Sequence, residues 1–247
     1  MYDLPTLQNT RVSLCKLLEF VDGVAELQRT MHQQVGCPGG QDGEDTILRQ
    51  LLPLQPAASY LDIGAYGPVE TSNTWQFYQA GWRGLLVDPL PACWGRLLLG
   101  RPGDHVMPVA AGAKRGIARL RIAEACSSLN RHWNIAPTDV KLVELWPTRD
   151  ILALFPAIRD TCQLCSIDVE GSEREVLAGI DWGTFRPRVI VIEYVVYPDT
   201  LGLEHADELT AILAGQNYRL YWRGRFNLVF ATAEHLAAIG LPPCTDP

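Results

Sequence analysis

Five acidic residues stand at the ends of short apolar runs, where strands would give out. They are Asp62 in SYLDIG, Asp88 in WRGLLVDP, Asp168 and Glu170 in SIDVEG, and Glu193 in VIVIEY. Carboxylates held there can take a proton from a hydroxyl, bind a divalent cation or attract a cationic ligand. Like charges brought together need a cation, a proton or solvent between them, so the group says more than its members. Asp168, Glu170 and Glu193 are therefore the catalytic candidates, with magnesium on the same carboxylates as an alternative. His132, in the polar stretch SSLNRHWN, is the histidine candidate. The plainer reading makes the carboxylates solvated strand ends before a helix whose positive end favours them, and His132 a surface residue. His32, His105, His205 and His235 sit in less suggestive surroundings. Cys162 and Cys165 spell C-x-x-C, but on one extended strand they should point to opposite faces, which makes them core thiols and not a metal or redox pair. Trp75, Trp82, Trp182 and Trp222 are expected to pack.

The segment Asp62-Ile63-Gly64-Ala65-Tyr66-Gly67-Pro68 invites comparison with a dinucleotide fingerprint and fails it. In that motif a second glycine lets the backbone approach a pyrophosphate, and a helix N-terminus donates N–H groups to it. Counted from Gly64, the second glycine position holds Tyr66 and the third Val69, while Pro68 has no N–H to give. Asp88, at the end of the next strand, has two acceptor oxygens suited to the two hydroxyls of a ribose. A glycine turn, a ribose acid and no phosphate cradle describe a nucleoside ligand without phosphates, of which S-adenosylmethionine is the common one.

The elements that would carry these residues alternate. From Ser59 onward SYLDIG, WRGLLVD, HVMPVA, QLCSIDV and RVIVIEY are short apolar runs separated by helix-length segments, the pattern of a mostly parallel sheet covered on both faces. GIARLRIA, residues 116–123, reads as an added strand or hairpin. NYRLYW and FNLVFA are separated by three residues, which is hairpin spacing. Leu14, Leu17, Leu18, Val21, Val24, Leu27 and Met31 recur at helical spacing. Residues 36–45 form a glycine-rich break, after which Asp42 or Glu44 opens a helix over 46–52. The expected organisation is a helical extension over 1–40, an α/β domain over 41–240 and a tail over 241–247.

The chain has 247 residues, 47% hydrophobic and 20% charged, with a net charge of −7. That composition excludes disorder and coiled coil. The negative balance argues against a phosphate backbone as partner, and the apolar runs are too short to span a bilayer. Seven scattered cysteines, with no signal-peptide pattern before them, fit a reducing cytoplasm.

Taken in order, the motifs resemble the FkbM-type S-adenosylmethionine-dependent methyltransferases over roughly residues 40–231. QDGEDTIL is similar to that family's opening motif, YLDIGAYGPVETSNT with FYQAGWRGLLVDP to its cofactor half, and SIDVEGSEREVLAGIDW with RPRVIVIEY to its second signature. The chain departs from the pattern at Tyr66-Gly67, where relatives usually carry Asn-Asp, and at Asp88, where Glu is commoner. The resemblance implies a class I methyltransferase fold, Rossmann-like, with seven strands and a C-terminal antiparallel hairpin. It also implies O-methylation of a small, hydroxyl-rich natural product or sugar. N-methylation on the same fold and a catalytically inactive nucleoside-binding module are the rival functions. For the cofactor, the implied residues are Gln41, Glu44 and Asp45 folding back over it, and Asp62, Gly64, Ala65 and Tyr66 at the methionine end. Asp88 and Pro89 would lie at the ribose, Ala110 and Ala111 at the adenine, and Asp168 beside the reacting centre. Specificity is expected from the N-terminal helix and residues 126–146. The acceptor's identity and any self-association are left open.

Overall fold

The computed structural model describes residues 40, 42–54, 58–123, 125–130, 136–194 and 202–242. The helix expected over residues 14–31, Gln41, His132 and the end of the tail lie outside them. In chain order the elements are α1 (Glu44–Leu51), β1 (Ser59–Ile63), α2 (Trp75–Gln79), β2 (Arg83–Val87), α3 (Pro91–Gly100) and β3 (His105–Met107). There follow β4 (Ala110–Gly112), β5 (Gly116–Ile122), β6 (Asp139–Pro147), α4 (Thr148–Leu154), α5 (Pro156–Thr161) and β7 (Cys162–Ile167). The last are α6 (Glu173–Ala178), β8 (Val189–Glu193), α7 (Gly202–Gly215), β9 (Tyr218–Arg223), β10 (Asn227–Thr232) and α8 (Ala233–Ile239).

Seven of the strands form one sheet in the order β3-β2-β1-β7-β8-β10-β9, parallel except for β10, which runs antiparallel to β8 and β9. Both faces are buried, and this is why the strands read as unbroken apolar runs. Leu61 and Ile63 of β1 face a core completed by Ile151, Val176, Leu177 and Leu209 from α4, α6 and α7. Tyr60 faces the other core, with Leu48, Phe77, Leu97 and Leu236 from α1, α2, α3 and α8. Helices thus cover the sheet on both sides, and the C-terminal hairpin is present, as expected of the class I methyltransferase fold.

Four details differ from the sequence reading. First, α1 begins at Glu44, and Gly43 (φ +91°) precedes it without a side-chain cap. Second, the added strand β5 belongs to a separate three-stranded sheet, β4-β6-β5. Third, its partner β6 was not anticipated: its alternation is diluted because Val140 and Leu142 face solvent. Fourth, the register of β7 against β1 slips between Ser59 and Tyr60, which pair with Cys162 and Leu164. The bulge at Gln163 restores the phase, so Cys162 and Cys165 enter the same core. Both are buried free thiols, and burial pushes each pKa up, that of Cys162 to about 12. They are core thiols as expected.

A candidate active site at the strand ends

Strand register builds the site. Ile63 pairs with Val87 on β2 and with Ile167 on β7, and Ile167 pairs with Ile192 on β8. The next residue on each strand is Gly64, Asp88, Asp168 and Glu193, so four residues up to 129 apart in sequence share one row. The strand order reverses between β1 and β7, and ligands bind at such a switch point, outside the carboxyl ends of the strands.

A cleft of about 120 Å³ opens there. It is lined by Asp62 on β1, Gly64, Ala65 and Tyr66 after it, Asp88 and Pro89 after β2, Ala110 and Ala111 on β4, and Asp168 and Glu170 after β7. Leu120, Ala125, Ser127 and Leu129 close it from the side of the small sheet. Gly64 has φ +85°, and its N–H donates to the Val87 carbonyl at 2.8 Å. Asp88 holds the turn from the other side. Its Oδ2 accepts from the Tyr66 N–H at 2.9 Å and its Oδ1 from the Leu90 N–H at 2.7 Å. Each oxygen keeps lone-pair capacity for a ligand hydroxyl. Burial pushes the Asp88 carboxyl up to about 6. Tyr66 itself takes φ +36°, and its ring lies 4.8 Å from the Arg96 guanidinium.

Asp168, Glu170 and Glu193 converge, with one carboxylate oxygen of each within 4.8 Å of the others. Burial raises the pKa of all three. Neighbouring negative charges push the same way: Glu173, Asp62 and Asp88 on Asp168, Asp168 and Glu173 on Glu170, and Asp168 and Glu170 on Glu193. The loop that presents them is tied down by Glu173 at the start of α6. Glu173 Oε1 accepts from the Gly171 N–H at 3.0 Å and the Val169 N–H at 3.3 Å, and Oε2 lies 3.0 Å from His205 Nε2. Glu170 adopts φ +56°, a conformation that costs an L-residue about 1–2 kcal/mol, and its carbonyl accepts from Ser128 Oγ.

The family model of the methyltransferase FkbM domain matches residues 62–220. The chain belongs to the FkbM methyltransferase family. Membership implies S-adenosylmethionine as methyl donor. Two solved structures are similar in outline. A fibrillarin pre-rRNA processing protein from Methanococcus jannaschii is 12% identical, with 73% of this chain and 69% of that one covered and a TM-score of 0.42. A precorrin-6y C5,15-methyltransferase from Geobacter metallireducens GS-15 is 13% identical, with 76% and 87% covered and a TM-score of 0.42. No curated protein matches the chain in sequence. Among the described residues no helix is long and apolar enough to cross a membrane.

In this FkbM methyltransferase the cleft gathers Asp62, Gly64, Ala65, Tyr66, Asp88, Pro89, Ala110, Ala111, Asp168 and Glu170. Glu193 has a carboxylate oxygen within 4.8 Å of those of Asp168 and Glu170 but is not part of the lining. Glu44 and Asp45 lie elsewhere, buried against the hairpin and α2. Glu44 Oε1 accepts from Asn227 Nδ2 at 3.2 Å, and Asp45 Oδ1 from Gln76 Nε2 at 3.3 Å. Asp42 caps the hairpin turn, its Oδ2 accepting from the Arg225 and Phe226 N–H groups. His105 packs on Phe155 and His235 bonds the Leu51 carbonyl. Trp75 and Trp82 are buried, and Trp182 and Trp222 pack on the two cores.

Several lining residues escaped the sequence reading, namely Thr71, Ser72, Asn73 and Leu90, with Ser166 two positions before Asp168 on the same strand face. The polar run Thr71–Thr74 ahead of α2 and the period of two into Asp168 were the available signals. Arg101 also went unnoticed. It is fully buried, and its Nε donates to the Pro68 carbonyl at 2.6 Å, its Nη1 to Thr74 Oγ1 at 2.7 Å and its Nη2 to Ser72 Oγ.

Proposed function

We propose that the chain is an O-methyltransferase that moves the methyl of S-adenosylmethionine to a hydroxyl of a small, hydroxyl-rich natural product or sugar. The observation that carries this reading is the convergence of Asp168, Glu170 and Glu193 at the end of the cofactor cleft. A hydroxyl must shed its proton as its oxygen attacks, and an amine can attack as the free base, so a buried carboxylate of raised basicity beside the cleft, Asp168, favours oxygen.

The residues fit the donor: Asp88 keeps two acceptor oxygens for a ribose, the Ala110–Ala111 wall suits adenine, and an acidic lining suits a sulfonium. When bound, the cofactor supplies a methyl activated for in-line displacement. The chain's own residues do the rest. Asp88 fixes the ribose, Gly64 lets the β1 turn close on Asp168, and Tyr66, whose backbone Asp88 holds, walls the cleft. Holding the acceptor oxygen in line with the methyl is worth several kcal/mol of barrier. Asp168, with Glu170 beside it, takes the acceptor proton. The burial and like charge that raise its pKa make it a stronger base than a free carboxylate.

A second reading rests on the same geometry. The three carboxylates supply hard oxygen donors suited to magnesium, which would lower the acceptor hydroxyl's pKa in place of a base. Chelator separates the two. Activity that falls on dialysis and returns with magnesium supports the metal. Activity indifferent to chelator but lowered about 10²–10⁴-fold by Asp168→Asn, with cofactor binding nearly intact, supports the base. Full activity in chelator and in Asp168→Asn, Glu170→Gln and Glu193→Gln overturns both.

A further inference from the structure

The orientation of one amide beneath the cleft follows from its surroundings. Arg101 carries only donors, and it spends Nη1 and Nη2 on the oxygens of Thr74 and Ser72. Those hydroxyls must turn their own protons elsewhere, and they turn them to Asp62. Thr74 Oγ1 donates to Asp62 Oδ2 at 2.5 Å, and hydrogen bonds from Ser72 and Ser166 also lower the Asp62 pKa against the larger effect of burial. Ser166 Oγ in turn accepts from Asn73 Nδ2 at 3.3 Å. The amide end facing Ser166 is then the NH₂, and the carbonyl is left over. Asn73 is 7% exposed and lines the cleft, and its Oδ1 is enclosed with no hydrogen-bond partner in the protein.

An enclosed acceptor without a donor is destabilising unless a ligand completes it. The donor's chemistry is restricted. A ligand carboxylate has no proton to give. The adenine amino group belongs with Ala110 and Ala111, beyond Asp88, and the ribose hydroxyls with Asp88. The methionine half of the cofactor has one donor, its α-ammonium. We propose that Asn73 is a cofactor-binding residue whose Oδ1 accepts a hydrogen bond from that ammonium, with Ser166 and Asp62 as positioning residues that fix the amide. The proposal rests on the S-adenosylmethionine reading. It also gives Asp62, which accepts from Thr74 Oγ1, a part in organising the contact.

The test compares calorimetric affinities for S-adenosylhomocysteine and its desamino analogue, which keeps the adenosine, thioether and carboxylate. The wild-type protein should prefer S-adenosylhomocysteine. Asn73→Leu should reduce that preference about 10-fold or more, as expected for one hydrogen bond to a charged donor, and leave the desamino analogue's affinity unchanged. Asn73→Ser carries the same comparison if the leucine prevents folding. An undiminished preference in Asn73→Leu and Asn73→Ser overturns the proposal. Wild-type protein that binds neither ligand overturns the cofactor reading itself, a distinguishable result.

Discussion

The carbonyl oxygen of Asp168 lies 1.6 Å from where a Cβ on Gly64 would stand. Backbone from β1 and β7 meets there directly, at the switch point of the sheet, and the contact sets how far the cofactor turn can drop toward the acidic cluster. Gly64 also has φ +85°, outside the comfortable range of any L-residue. Gly64→Ala therefore faces a strained conformation worth roughly 1–3 kcal/mol and a backbone clash. The variant should melt several degrees lower and bind S-adenosylhomocysteine at least about 10-fold more weakly. Calorimetry reads both quantities. Wild-type values for the two would show that the strand ends do not meet as described.

Asp88 holds two backbone N–H groups and, in the proposed complex, two ribose hydroxyls. Asp88→Ala leaves all four without an acceptor. Loss of the ligand's share should cost roughly 1.5–3 kcal/mol of binding free energy, about 10- to 150-fold in affinity for S-adenosylhomocysteine. Unchanged affinity in this variant would place the ribose elsewhere.

The row Gly64, Asp88, Asp168, Glu193 was legible because each residue follows an apolar run, and a parallel sheet aligns the ends of such runs. Asn73 and Ser166 were not. They lie 93 residues apart, and only the register of Asp62 opposite Ser166 gives them a joint role. Arg101 sits in GRPGD, which reads as a solvated turn, yet it is 0% exposed because loop carbonyls and hydroxyls close around it. The two cysteines misled through the bulge at Gln163, a shift of one residue that reverses a face and leaves no mark on composition.

Clustered acids should make the protein's stability depend on pH in a direction opposite to ordinary surface carboxylates. Burial raises the pKa of Asp168, Glu170 and Glu193, and raises that of Asp88 to about 6, above the unfolded values near 4. The native state then holds more protons than the unfolded chain. The resulting stability is complete below about pH 4 and is lost as pH rises through the folded values. Glu193→Gln removes one member of the cluster. Its melting temperature should exceed the wild-type value by about 2–4 °C at pH 8, the shift that 1 kcal/mol makes in a chain of this size, and the gain should vanish near pH 4. Scanning calorimetry at the two pH values decides it, and a gain of equal size at both would refute the cluster's role.

Glu173 acts on the same carboxylates in two ways that a single variant can separate. Its Oε1 holds the Val169 and Gly171 N–H groups, which fixes the loop carrying Asp168 and Glu170. Its charge also pushes the pKa of both residues upward. Glu173→Gln keeps an acceptor oxygen for the loop and removes the charge, so its main effect should fall on the pH profile. Where Asp168 is the base, the acid limb of kcat should move to lower pH, since one source of repulsion is gone. Glu173→Ala removes both functions and should lower kcat by up to about 10²-fold through misplacement of the base, with a smaller change in KM for the cofactor. A merely structural Glu173 would lower the stability of both variants and leave the acid limb in place. Measuring kcat against pH for the two, beside their melting temperatures, distinguishes a positioning residue from a helix-end brace.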